Sequence, residues 1–446
     1  MLKVLAHPAY ARLFAAQVIA LTGTGLLTVG LGLLAYDLAG DQAGAVLGTV
    51  FTIKMLAYVG LAPVASALAE RWPRKHVLIG ADIIRALAAL TLPLIDAVWQ
   101  IYALIFVLQA ASATFTPAFQ ATIPDILDDE RDYTKALSLS RLAYDLENLL
   151  SPALAGLLLA FISYHWLFGG TVIGFVGSAL LVLSASIPVV EGKSQTRPFR
   201  QRLTRGIYIY VLTPRLRGLL ALNLSAAAAG AFVLVNTVVV VRSGYGAGDA
   251  QVAYALAAFG GGSMLAALAL PRLLETLSDR NIMVGAGFML SAVTLLHAGY
   301  QFSAGLPAWS GLLAVWGVSG VLYASILTPS GRLLRNSAHA EDRPALFAAQ
   351  FTLSHLCWLL TYPIAGLAGS ALGLPAAMAI LGAIALAGAL VAVAVWPSDD
   401  ALVVEHEHAD LPADHPHLRE HPARGTRRHR HVFVIDDEHR VWPTHG

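Results

Sequence analysis

Thr116–Arg131, TPAFQATIPDILDDER, has a counterpart at Thr328–Arg343, TPSGRLLRNSAHAEDR. In both, Thr-Pro is followed at the same spacing by an acidic pair and an arginine: Asp129-Glu130-Arg131 in one, Glu341-Asp342-Arg343 in the other. More pairs follow in the same order. Pro152 with Gly156 matches Pro363 with Gly366, Glu70-Arg71 matches Asp279-Arg280, and Asp41 matches Asp249. The offset is nearly constant, 212 residues for the first pair and 208 for the last. One match could arise by chance, but an ordered set at one offset means duplication.

The repeats are built from apolar blocks. The chain of 446 residues is 57% hydrophobic and 13% charged, far too apolar for a soluble domain. A spanning helix needs about 20 apolar residues. Blocks of that length lie near 11–36, 43–69, 76–95, 99–121, 137–163, 166–190, 216–241, 250–273, 282–303, 307–331, 345–371 and 374–396. They do not alternate, so the expected fold is an all-α membrane protein and not a barrel. The expected organisation is a six-helix half over 1–190, a linker loop over 191–215, a second pseudo-symmetric half over 216–397 and a polar tail over 398–446. Lysine and arginine crowd one side (Arg12, Lys75, Arg205, Arg280 and Arg343 among them), and only Arg242 falls on the other. The positive-inside rule then puts both termini and the 191–215 loop in the cytoplasm of a bacterial inner membrane. The only cysteine is Cys357, so no intrachain disulfide forms.

Duplicated halves enclosing a midplane site describe a secondary transporter, and intramembrane charges mark its route. Ser140–Leu158, SRLAYDLENLLSPALAGLL, carries Arg141, Asp145, Glu147 and Asn148 within an apolar helix. Arg141 and Asp145, four residues apart, can satisfy each other. Glu147 has no basic neighbour at helical spacing and is the candidate carboxylate for a proton or a metal ion. Asn148 can add an amide oxygen or knit two helices together. Lys54, near the middle of helix two, reads either as a counter-ion for these carboxylates or as an attractor for an anionic substrate. His355 and Cys357 are two residues apart on helix eleven and face different ways, and His355 is the one expected to border the path. Asp82 and Arg85, three apart on helix three, read as a pair that braces the cytoplasmic gate. The Gly260-Gly261-Gly262 run lies inside a membrane helix, reads as close packing and carries no enzyme chemistry.

The tail holds nine of the fifteen histidines: His406, His408, His415, His417, His421, His429, His431, His439 and His445. Three H-x-H pairs can each chelate from one side of an extended chain, and imidazoles suit Ni²⁺, Co²⁺ or Zn²⁺. The tail contains no cysteine or methionine, which disfavours Cu(I). His431–Trp442 is expected to close as a small hairpin.

The halves and their loops resemble the major facilitator superfamily. Ser66–Lys75, SALAERWPRK, fits the superfamily's G-x-x-x-D-R-x-G-R-K signature between helices two and three, with Ser66, Glu70 and Pro73 as departures. The resemblance implies that Glu70, Arg71 and Arg74 close the cytoplasmic gate. Ser151-Pro152-Ala153-Leu154-Ala155-Gly156 resembles the superfamily's antiporter motif, while helix four has Gln109 in place of the basic residue common in proton-coupled drug exporters. The histidine-rich tail, with His7–Phe14 and Tyr36-Asp37, resembles bacterial nickel-resistance exporters of the NreB type. That resemblance implies efflux of Ni²⁺, possibly Co²⁺, as cargo and without a resident cofactor. Its expected partners are membrane lipid, the metal ion and coupling protons, with no nucleic acid, in a monomer. The rival expectations are export of an organic solute (siderophore, metal chelate or drug) and a metal-regulated transporter or sensor.

Overall fold

The computed structural model describes residues 2–61, 72–127, 154–188, 199–339, 342–398, 403–407, 428–436, 438–439 and 441–443, with isolated positions between 132 and 151. Ten described helical segments are long and apolar enough to cross a bilayer. The first, Pro8–Leu61, has 54 residues. At 1.5 Å per residue that is ~80 Å, against about 30 Å of hydrocarbon, so it contains two crossings. The break falls at Gly40, whose φ of +53° ends α1 (Pro8–Ala39) before α2 (Ala43–Leu56). A π turn, Ala57–Leu61, extends α2.

The N-terminal half continues with α3 (Arg74–Thr91), α4 (Val98–Ile126) and α5 (His165–Ser184). An amphipathic helix α6 (Phe199–Leu212) leads to α7 (Pro214–Val239), α8 (Asp249–Leu273), α9 (Asp279–Ala304), α10 (Trp309–Leu327), the short α11 (Ser330–Arg335), α12 (Arg343–Leu372) and α13 (Leu374–Val395). Local chemistry sets the ends. Pro8 and Pro214 open α1 and α7, where their missing N–H costs nothing. Ser278 Oγ caps α9 by accepting from Asn281 N at 3.2 Å. Gly305 and Gly373, with φ of +76° and +87°, stop α9 and α12.

The duplication reappears in the packing. In the first half α1 lies along α5, where Thr171 Oγ1 donates to Gly23 O at 2.8 Å. In the second, α7 lies along α13, where Ser225 Oγ donates to Ala385 O at 2.6 Å. The twin glycines also do equivalent work. A Cβ at Gly366 of α12 would lie 2.5 Å from Gly44 O of α2, and one at Gly156 would lie 3.1 Å from the Tyr254 ring of α8. Each glycine lets its own half press against the other.

Among the described residues the core is joined at one end and divided at the other. At the end carrying Arg242 both halves share a single apolar cluster, including Leu33, Phe51, Phe168, Phe232, Trp316 and Tyr362. At the opposite, basic end separate clusters form, one around Leu13, Leu78 and Phe115, one around Leu216, Leu346 and Trp396, and a small one around Leu270 and Ala324. Among the described residues the halves therefore share a core at the Arg242 end and hold separate apolar clusters towards the basic end. An apolar groove between α3 and α5, lined by Ile83, Leu87, Val176 and Leu180, holds exposed aliphatic side chains suited to lipid.

The tail carries the two described strands. β1 (Val403–Glu407) pairs antiparallel with β2 (Arg428–Val432). The hairpin expected over His431–Trp442 is therefore replaced by a pairing with a partner further upstream. Register sets Glu405 opposite Arg430, a favourable cross-strand charge pair. After β2, Asp436 Oδ1 accepts from Glu438 N at 2.9 Å and His439 N at 2.6 Å. This side-chain turn takes up the backbone donors that a second hairpin would use.

Candidate functional site

The site lies where α2 meets α12, on the side of their glycine crossing that faces the basic end. One turn from Lys54, the π turn carries Tyr58, whose ring is 5.5 Å from His355 and 6.0 Å from Phe351. π turns recur at functional positions because they re-aim side chains within a helix. His355 stacks on Phe351 at 3.9 Å, and its Nδ1 donates to Phe351 O at 2.6 Å, which leaves Nε2 as the acceptor. The aromatic surface continues through Trp358 and Tyr362, 4.9 Å apart, and on to Phe51 and Tyr323. Cys357 turns away, with Sγ 3.5 Å from Leu353 O and 4.0 Å from Leu220 O of α7.

Arg141, Asp145, Glu147 and Asn148 lie outside the described residues, as do Glu70 and Arg71 of the signature loop. Arg74 opens α3, and the adjacent Lys75 Nζ donates to Ala185 O at 2.8 Å. Asp82 and Arg85 form a buried ion pair. Ser178 Oγ of α5 donates to Asp82 Oδ2 at 2.7 Å, and the Arg85 guanidinium lies over Phe115 at 4.3 Å and Phe175 at 4.5 Å. These partners all belong to the N-terminal half, so the described contacts clamp α3, α4 and α5 together.

Two features were missed in the sequence. The first is Gly44-x-x-x-Gly48, a small-residue crossing motif: a Cβ at Gly48 would sit 2.8 Å from Tyr362 O and 3.0 Å from Gly366 Cα. The second is a polar seal at the Arg242 end. Ser243 Oγ donates to Asp41, Tyr36 Oη lies 2.8 Å from Ser243 Oγ, Arg242 lies over the Tyr36 ring at 5.2 Å, and Arg242 Nη1 pairs with Asp249 at 2.6 Å. Tyr164 Oη adds a bond to Asp37 at 2.6 Å. Basic-end contacts such as Asp279–Arg332 at 2.6 Å and Arg205–Asp342 at 3.0 Å stay on one side of the divide. Joining Tyr36→Cys to Ser243→Cys with a reducible bifunctional reagent, in a Cys357→Ser background, should therefore stop turnover, and reduction should restore it. Transport into vesicles measures this; full activity of the crosslinked protein would dismiss the seal as a moving part.

A second cluster sits in the tail. His429, His431 and His439 each offer a ring nitrogen, all within 4.8 Å of one another. The His429 and His431 rings stack at 5.1 Å, and His431 meets His439 at 5.0 Å. The i, i+2 spacing places the first two together, and the Asp436 turn delivers the third. His406 stands opposite His429 in register; His408, His415, His417, His421 and His445 lie outside the described residues.

A polytopic helical bundle whose described residues pack as two groups of helices has the architecture of secondary transporters. The model of the Major Facilitator Superfamily matches residues 13–247 and again 219–433, and the chain belongs to that superfamily. It is 23% identical over 331 residues to the uncharacterized MFS-type transporter YfiS of Bacillus subtilis, covering 73% of this chain and 79% of that one. It is 30% identical over 146 residues to macrolide efflux protein A of Enterococcus faecalis, covering 32% of this chain and 45% of the relative, less than half its length. In fold it is similar to the nucleoside transporter NupG (TM-score 0.62, 14% identity, 87% of this chain and 98% of that one). It is also similar to an inward-facing, occupied bacterial homolog of the lysosomal transporter Spinster (TM-score 0.67, 12% identity, 86% and 96%). These relatives are transporters, and the chain is a multi-pass membrane protein of that kind.

Proposed function

We propose that the protein is a twelve-helix secondary-active exporter of divalent transition-metal cations, nickel first and cobalt second, driven by proton antiport across a bacterial inner membrane. The carrying observation is the cluster of His429, His431 and His439 at the basic end, which the positive-inside rule assigns to the cytoplasm. Borderline divalent ions are the natural occupants of three imidazoles without sulfur. Glu147, with Asp145, Asn148 and His355, would border the membrane site, and a proton arriving from outside would displace the ion. Cells making the protein should accumulate less Ni²⁺ than control cells, and Glu147→Gln should abolish the difference at equal protein level. Equal Ni²⁺, Co²⁺ and Zn²⁺ content with and without the protein would end the metal reading.

A second reading is favoured by a different observation. The described face between α2 and α12 gathers Tyr58, Phe351, Trp358 and Tyr362, with Lys54 one turn from Tyr58, a surface suited to an organic solute. The similarity to macrolide efflux proteins supports it. A susceptibility panel of macrolides and siderophores discriminates: resistance with unchanged metal content selects the organic exporter.

A further inference from the structure

We propose that His429, His431 and His439 form a preorganised divalent-cation site on a lobe docked to the C-terminal half, and that filling the site sets how firmly the lobe holds the start of α12. The inference rests on the reading that the chain handles divalent metals, and adds where an ion is sensed and which helix feels it.

Hydrogen bonds already set the tautomer of two of the imidazoles. His431 Nδ1 lies 2.8 Å from Val432 O. A carbonyl only accepts, so Nδ1 carries the hydrogen and Nε2 keeps its lone pair. His439 Nδ1 lies 2.9 Å from Asp436 Oδ1. Asp436 Oδ1 already accepts from Glu438 N at 2.9 Å and His439 N at 2.6 Å, so the carboxylate is the acceptor for Nδ1 as well, and His439 too presents Nε2. A carbonyl or carboxylate on the far nitrogen is the arrangement that orients and strengthens liganding histidines. Tetrahedral ligands at ~2.05 Å stand ~3.3 Å apart, so groups already within 4.8 Å have little distance to close. His429 and His439 are only 5% and 4% exposed, so the cluster is largely screened from bulk water.

The same residues touch the membrane half. On the strand face that bears His429 and His431, Phe433 lies 4.7 Å from His439 and 5.0 Å from Trp442. The Arg215 guanidinium of α7 lies 5.2 Å over Trp442. Phe433, Ile435 and Val404 are buried in the core with Leu216, Leu346 and Trp396. Asp436 Oδ2 accepts from Nε2 of His339, in the link between α11 and α12, at 3.2 Å. That link also holds Asp342, which pairs with Arg205 of α6. An ion at the three imidazoles thus acts, through His439 and Asp436, on the start of the helix that carries His355.

The test uses purified full-length protein with Ni²⁺ or Zn²⁺ alone as the probe. Wild type should bind one ion per chain more than the His429→Ala/His431→Ala/His439→Ala variant, and Asp436→Asn should weaken that site about 10- to 100-fold. Hydrogen exchange over 428–436 and 342–350 should slow on adding metal in wild type and not in the variant. His431→Ala, at the half-exposed position, leaves the lobe core intact and should lose the same ion if the triple variant misfolds. Equal stoichiometry and affinity in wild type and His431→Ala would overturn the site. Binding without any change at 342–350 would overturn the coupling. The transport reading fails separately: a protein that binds this ion while leaving cellular metal content unchanged keeps the sensor and loses the cargo.

Discussion

Gly48→Leu is expected to abolish transport in a chain that still inserts into the membrane. At this position α2 and α12 touch backbone to backbone. A Cβ there would lie 2.8 Å from Tyr362 O and 3.0 Å from Gly366 Cα, while one at Gly366 would lie 2.5 Å from Gly44 O. Neither neighbour is the end of a flexible side chain, so the clash cannot be relieved by changing a rotamer. Asn236 of α7 closes the third side, with Nδ2 donating to Ala365 O at 3.0 Å. Overpacking a filled site ordinarily costs about 1–3 kcal/mol, and a leucine against two backbones belongs at the upper end or beyond. The cost falls only on the state in which the halves meet at the Arg242 end. Raising one state of a two-state cycle by ~3 kcal/mol depopulates it more than a hundredfold, so the carrier stays open at that end and turnover stops. Gly48→Ala should give an intermediate loss. Gly156→Ala should be milder, because the Cβ would face the Tyr254 ring at 3.1 Å and a ring can tilt. Initial rates in proteoliposomes, normalised to reconstituted protein, check the series. A wild-type rate for Gly48→Leu would show that this crossing does not open during the cycle.

The features legible in the sequence are those written locally or by repetition. Hydropathy marks the membrane segments, and the constant offset marks the halves. Pro152–Gly156 and Pro363–Gly366 read as twins, and Gly156 and Gly366 each face the opposite half. The i, i+2 spacing puts His429 and His431 on one side, and the mismatch between His355 and Cys357 on a helix separates the two. What stayed hidden needs a partner from elsewhere in the chain. Gly44-x-x-x-Gly48 is one small-residue spacing among 39 glycines, and nothing in it names Gly366. His439 joins the other two imidazoles only because Asp436 turns the chain back. The sequence places the hairpin next to His431, whereas the Glu405–Arg430 pairing and the burial of Val404 select β1. Asp82 names Arg85 three residues on, but Ser178, Phe115 and Phe175 come from helices whose proximity is tertiary.

That tertiary setting makes Asp82→Ala the most destabilising single change expected among the described residues. Asp82 is fully buried and Arg85 is 5% exposed. The carboxylate takes the guanidinium on one oxygen and the Ser178 hydroxyl on the other. The guanidinium is sandwiched between Phe115 and Phe175. Removing Asp82 leaves a cation in an apolar helix bundle, and breaking a buried pair in this way costs about 3–5 kcal/mol. The two rings offset part of that, since cation–π contacts are worth about 0.5–2 kcal/mol each, but they already act in the wild type. Asp82→Asn keeps an acceptor for Ser178 and loses the charge, so it should fall between. The decisive comparison is Asp82→Ala with Arg85→Met. Replacing both partners removes the stranded charge and fills the space between the phenyl rings, so the double variant should be more stable than either single variant. Melting temperature in detergent and the monodisperse fraction after extraction report the order. A double variant no better than Asp82→Ala would mean that the pair is held by geometry and not by mutual neutralisation. Because the pair joins α3, α4 and α5, its loss should also loosen the N-terminal half as a unit. Transport per folded molecule should then fall in the double variant even where its stability recovers, since rocking two halves against each other requires each half to move as one body.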